Sequence, residues 1–189
     1  MLSALQRQKL EHFFGVFDTD HDGYLERSDF ESLVQNLAAV RGASPGSPDY
    51  DDLHSLWMMV WDQLEKESDV NRDDIVSPDE WCNLADQILS SGDGYATVMN
   101  AIGLRTFDQI DGDGDGEITP DEWAAFYAAH EIDRAAADEV FEQFDTDHDG
   151  RLSREETMDR LHEFFNSDDP SAPGNSFFGR LPQLSERSS

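Results

Sequence analysis

The chain has 189 residues, enough for one domain or two small ones, with a hydrophobic fraction of 38% that includes 12 Phe, 4 Trp and 4 Tyr. Its formal net charge of −29 argues against nucleic acid or an anionic membrane as a partner. A lone cysteine, Cys82, excludes a disulfide framework or a cysteine metal cluster, and no apolar run approaches the ~20 residues needed to cross a bilayer. The amphipathic N-terminus, MLSALQRQKLEHFFGVF, has no continuous apolar stretch of the signal-peptide kind. These features lead us to expect a cytoplasmic monomer.

Apolar residues at helical spacing recur along the chain. Leu10, Phe13, Phe14 and Phe17 follow the i, i+3, i+4, i+7 rule, and Phe30, Leu33, Val34 and Leu37 repeat it. The Gly-, Ser- and Pro-bearing stretch 41–50 then predicts a connection. A broad apolar face follows on Leu53, Leu56, Trp57, Val60, Trp61 and Leu64, and another on Trp81, Leu84, Ala85 and Ile88. SSGDG at 90–94 breaks the pattern. Phe107 with Ile110, Trp123 with Phe126 and Tyr127, Val140 with Phe141 and Phe144, and Leu161 with Phe164 and Phe165 predict four more helices. The tail after Asn166 carries three prolines and two glycines and cannot form a regular helix.

Between successive helices lie four acidic twelve-residue loops, at 18–29, 69–80, 111–122 and 145–156. Each sets oxygen-bearing side chains at positions 1, 3, 5 and 12, the ligand spacing of an EF-hand calcium loop. Calcium is a hard cation that takes six to eight oxygens, which is why carboxylates at this spacing suit it. The predicted ligands of the third loop are Asp111, Asp113, Asp115, the Glu117 carbonyl and Glu122, with Thr119 acting through water. Those of the fourth are Asp145, Asp147, Asp149, the Arg151 carbonyl and Glu156. The first loop offers Asp18, Asp20, Asp22, the Tyr24 carbonyl and Asp29. Because Asp29 is one methylene shorter than Glu, one oxygen is expected to reach the ion, with weaker calcium affinity or magnesium tolerance as the consequence. The second loop offers Asp69, Asn71, Asp73, the Ile75 carbonyl and Glu80; Asp74 replaces the turn glycine, and the lead-in EKES lacks an aromatic. The expected order of occupancy is loops four and three, then one, then two. Position 8 is apolar throughout (Leu25, Val76, Ile118 and Leu152), which predicts a short backbone pairing between the two loops of each pair.

The pattern specifies an all-α fold of four helix–loop–helix units in two compact pairs, 1–91 and 92–166, with an irregular tail at 167–189. From about residue 3 to 166 the chain resembles the EF-hand superfamily. The long first gap, Asp29 at position 12, the Trp-rich helices and the tail DDPSAPGN followed by FFG look like the sarcoplasmic calcium-binding protein and calerythrin branch, bacterial members included. That resemblance implies two packed pairs acting as a calcium buffer.

Two alternatives remain open at this stage. A sensor would expose a Met-rich groove to a protein target, but the five methionines here are scattered. A photoprotein-like ligand cavity could be lined by Trp57, Trp61, Trp81, Trp123, His54 and His130, although an aromatic core explains them equally. Phe177 and Phe178 are expected to dock between helices where a target would otherwise sit. No nucleophile elbow or phosphate-binding glycine loop is present, so no enzymatic activity is expected.

Overall fold

A computed structural model describes residues 1–91 and 103–182. The expected joint at 90–94 and the boundary between residues 91 and 92 fall largely outside the described residues. Helix α1 (Ala4–Phe17) begins at a capping box, in which the Ser3 hydroxyl accepts from the Gln6 amide and the Gln6 side chain returns to the Ser3 amide. Helix α2 spans Arg27–Val40. Helix α3 (Pro48–Ser68) starts with Ser47 as its cap and Pro48 at its first position, where the missing N–H costs nothing. Helix α4 spans Pro78–Ser90, and the described part of α5 runs over residues 103–110. Then come α6 (Pro120–Ala129), α7 (Arg134–Phe144, capped by Asp133) and α8 (Arg154–Asn166).

The loops pair as position 8 predicts. Leu25 and Val76 exchange two backbone hydrogen bonds of 2.9 Å. Strands β1 (Glu117–Ile118) and β2 (Leu152–Ser153) pair antiparallel, with Ile118 opposite Leu152. All four position-8 side chains are fully buried.

Aromatic rings fill the interior. Phe17 stacks on Phe30 with centroids 5.5 Å apart, and Trp57 and Trp61 lean on the same Phe30. Trp81 meets Phe13 edge-on, and its indole N–H donates to the Leu10 carbonyl at 3.0 Å. On the other side, Trp123 packs against Phe126, Tyr127 and Phe144. The two regions join where α1 packs on α8 and α2 on α6.

The tail closes this seam. A single 3-10 turn, Pro173–Ser176, leads into Phe177 and Phe178, both buried. Phe177 meets Trp123 edge-on at 5.5 Å, and Phe178 stacks on Phe13 at 4.1 Å. The Tyr127 hydroxyl donates to the Ser176 and Phe177 carbonyls, and His12 Nε2 lies 2.8 Å from the Phe178 carbonyl. Lys9 is only 1% exposed, yet its ammonium reaches the Glu163 and Ser167 carbonyls and Asn175 Oδ1. Burial pulls its pKa down to about 8, against the raising influence of Asp168 and Glu163. At Gly174 a Cβ would lie 2.4 Å from the Arg160 carbonyl oxygen, so only glycine lets the tail approach α8 this closely.

Candidate metal centres

Each loop is a scaffold of backbone amides folded around acidic oxygens. The position-1 aspartate accepts from the amides of positions 5 and 6. Asp111 takes Asp115 and Gly116 at 3.2 and 3.0 Å, and Asp145 takes Asp149 and Gly150 at the same distances. Asp18 and Asp69 repeat the arrangement. The position-3 residues Asp20, Asn71, Asp113 and Asp147 also accept from the position-5 amide. The chain is left-handed at positions 4 and 6 in every loop: His21 and Gly23, Arg72 and Asp74, Gly114 and Gly116, His148 and Gly150. Asp74 adopts this conformation at φ 65° without glycine, as its short polar side chain allows.

Position 12 ties each loop to its exiting helix. In loops two to four, position 9 is the helix N-cap (Ser77, Thr119, Ser153) and the glutamate three residues on completes a capping box. Glu122 accepts from the Gly112 amide with one oxygen and from the Thr119 amide and hydroxyl with the other, at 2.9, 2.8 and 2.7 Å. Glu156 does the same with Thr146 and Ser153, and Glu80 with Val70 and Ser77. The Ser77 amide leads in holding the Glu80 carboxyl below its ordinary range. Burial opposes ionisation of Glu122 and Glu156, but the converging N–H and O–H donors outweigh it, and Glu156 falls to about 2. These glutamates are anions at neutral pH.

Asp29 makes the same contacts despite its shorter side chain. One oxygen accepts from the Thr19 amide at 2.9 Å and the other from the Glu26 amide at 2.8 Å. Both oxygens are thus held by loop donors, yet Asp29 stands outside the close carboxylate group of its loop.

The loops gather their carboxylates differently. Oxygens of Asp111, Asp113 and Glu122 lie within 4.8 Å of one another, as do those of Asp145, Asp147 and Glu156, while the position-5 residues Asp115 and Asp149 stand outside these groups. In loop one the close group is Asp18, Asp20 and Asp22, with Asp29 outside it. In loop two, Asp69 groups with Asp74 and with Glu65 from the last turn of α3, while Asp73 and Glu80 stand apart. Glu65 was not anticipated; it sits four residues before Asp69, one helical turn, which was the available signal. Sequence reasoning also passed over the S/T-x-x-E capping boxes that aim Glu80, Glu122 and Glu156. The donor set, carboxylates with amide and carbonyl oxygens, fits a hard divalent cation.

Loops three and four are also linked through a side chain. Arg151 Nη1 lies 3.0 Å from Asp115 Oδ2 and 3.2 Å from Glu117 Oε2.

The EF-hand domain pair family matches residues 102–161, and the EF-hand domain family matches residues 9–38. Calerythrin of Saccharopolyspora erythraea is 29% identical over 166 residues, covering 87% of this chain and 94% of calerythrin. Among solved structures, the coelenterazine-binding protein of Renilla muelleri superposes with a TM-score of 0.76 at 24% identity, over 95% of this chain and 100% of that one. A sarcoplasmic calcium-binding protein from amphioxus superposes with a TM-score of 0.70 at 20% identity, over 96% and 100% of the two chains. Among the described residues no helix is long and apolar enough to cross a membrane.

Proposed function

The chain belongs to the EF-hand superfamily and is a calcium-binding protein related to calerythrin and the sarcoplasmic calcium-binding proteins, and from that premise we propose that it acts as an intracellular calcium buffer. It binds three or four ions through the ligands named above, as a cytoplasmic monomer with no catalytic role. Its two functional units are the pairs 1–91 and 92–166.

The observation that carries the buffer reading is the seated tail. A sensor must open an apolar groove when calcium binds. Here Phe177 and Phe178 occupy the seam between α1 and the α6–α8 region, held by Lys9, His12 and Tyr127. Ring packing supports an aromatic core over a small-ligand cavity. Trp61, Trp81 and Trp123 are packed ring against ring, and His130 Nδ1 lies 2.8 Å from the Phe126 carbonyl, while the buried indole N–H groups of Trp57 and Trp123 have no hydrogen-bond partner among the described residues.

Calcium drives the cycle by electrostatics. An empty loop confines several carboxylates, and their repulsion destabilises the fold until a divalent cation neutralises them. Stabilisation then grows as RT ln(1 + [Ca²⁺]/Kd). The test is apolar-dye fluorescence of the full chain with calcium and with chelator. A buffer gives no calcium-induced rise, and a chain lacking residues 168–189 gives a marked one. A rise in the full chain on adding calcium would favour a sensor.

A further inference from the structure

We propose that Arg151 is a tethered counter-ion that lowers the calcium affinity of the neighbouring loop 111–122; the proposal rests on the reading that this loop binds calcium. Arg151 is position 7 of the fourth loop, where its carbonyl is a predicted ligand. Its side chain crosses the β1–β2 pairing and places one guanidinium nitrogen on Asp115 at 3.0 Å and on Glu117 at 3.2 Å. Asp115 is the predicted position-5 ligand of the third loop. One loop thus places a positive charge beside its neighbour's predicted ligand set.

This contact stands apart from the other ion pairs. Among the described residues, Arg7 reaches Asp79 and Arg134 reaches Asp121, both at loop position 11, which is not a ligand position. The equivalent position-7 residues of the first pair are Tyr24 and Ile75, which carry no charge. The N-terminal pair is therefore an internal control.

A guanidinium on a ligand carboxylate could act by aiming the carboxylate or by its charge, and these have opposite signs. Aiming is already done by the backbone. Asp115 Oδ1 accepts from the Glu117 amide at 3.0 Å. Asp22 and Asp149 take the equivalent amide bond at 2.9 Å, and Asp73 takes it at 3.3 Å; among the described residues none of the three has an arginine within ion-pair distance, although Arg151 also acts on Asp149 at longer range. The charge is what remains. It meets Asp115 through Oδ2, so a cation held by Oδ1 would lie within several ångströms of the guanidinium. Coulomb repulsion between a single and a double charge at that range, in water and low salt, weakens binding about threefold to tenfold. In the calcium-free protein the same charge relieves carboxylate repulsion. Arg151 therefore narrows the stability gap between the empty and filled states of this loop.

The test uses the full chain and three proteins: wild type, Arg151→Gln and Arg151→Lys. Both substitutions keep the position-7 carbonyl. Calcium titrations followed by the amide resonance of Gly116 report the third loop, and that of Gly23 reports the first. At low salt, Arg151→Gln is expected to tighten binding at Gly116 about threefold or more while leaving Gly23 unchanged, and Arg151→Lys to stay near wild type. About 0.5 M KCl should erase most of the gain, since screening then acts within a few ångströms. The calcium-free melting temperature of Arg151→Gln should fall more than the calcium-bound one. Unchanged or weaker binding at Gly116 in Arg151→Gln, or a gain that survives high salt, overturns the proposal. A wild-type Gly116 resonance indifferent to calcium overturns the loop assignment itself and the proposal with it.

Discussion

Replacing Phe177 with alanine tests whether the tail is part of the folded body. Phe177 is fully buried, with ring centroids 5.5 Å from Trp123, 5.7 Å from Phe144 and 5.0 Å from Phe178. Truncating such a ring removes its transfer free energy and leaves a cavity, because the flanking turn stays pinned by Asn175 on Lys9 and by the Phe178 carbonyl on His12. The expected loss is about 4 kcal/mol, in the usual range for buried Phe→Ala. For a chain of this size that lowers the melting temperature by roughly 8–16 °C. Urea unfolding in saturating calcium, followed by tryptophan fluorescence, measures it; Val70→Ala serves as the exposed control, with a change within about 0.5 kcal/mol. A loss below about 1 kcal/mol for Phe177→Ala would mean the tail is peripheral, and the buffer argument would lose its main support.

Other predictions concern the loops and pH. Thr119→Val removes the hydroxyl that orients Glu122, and should weaken calcium binding at the third loop about tenfold, read by titration at the Gly116 resonance. Asp29→Glu should shift the first loop toward calcium over magnesium, read by magnesium competition at Gly23. His130 has its pKa lowered to about 4 by burial, against the raising effect of its bond to Phe126. Neutral in the fold, it contributes stability that is full above the unfolded pKa of ~6.5 and is lost as pH falls toward 4. At pH 5 this amounts to ~2 kcal/mol, so acid should destabilise the calcium-bound wild type more than His130→Phe by that amount, measured by urea unfolding at pH 7 and pH 5.

Much of the architecture could be read from periodicity. Apolar spacing placed the helices, because each must bury one stripe, and position 8 of each loop identified Leu25, Val76, Ile118 and Leu152 as the pairing points. Proximity across the chain was less legible. Nothing in the spacing shows that Arg151 reaches back to Asp115, since a register between strands sets that contact. Lys9 reads as a surface residue on an amphipathic helix. Its burial follows from the tail and the end of α8 presenting carbonyls and Asn175 at one point. In loop two, the grouping of Asp69 with Glu65 and Asp74 depends on how the loop closes on α3, beyond the reach of a twelve-position template.

The most direct test of the account is a calorimetric calcium titration of the full chain, counting ions at saturation. The account predicts three or four per chain, with the C-terminal loops included among the filled sites. Two or fewer, or no heat attributable to loops 111–122 and 145–156, would contradict it.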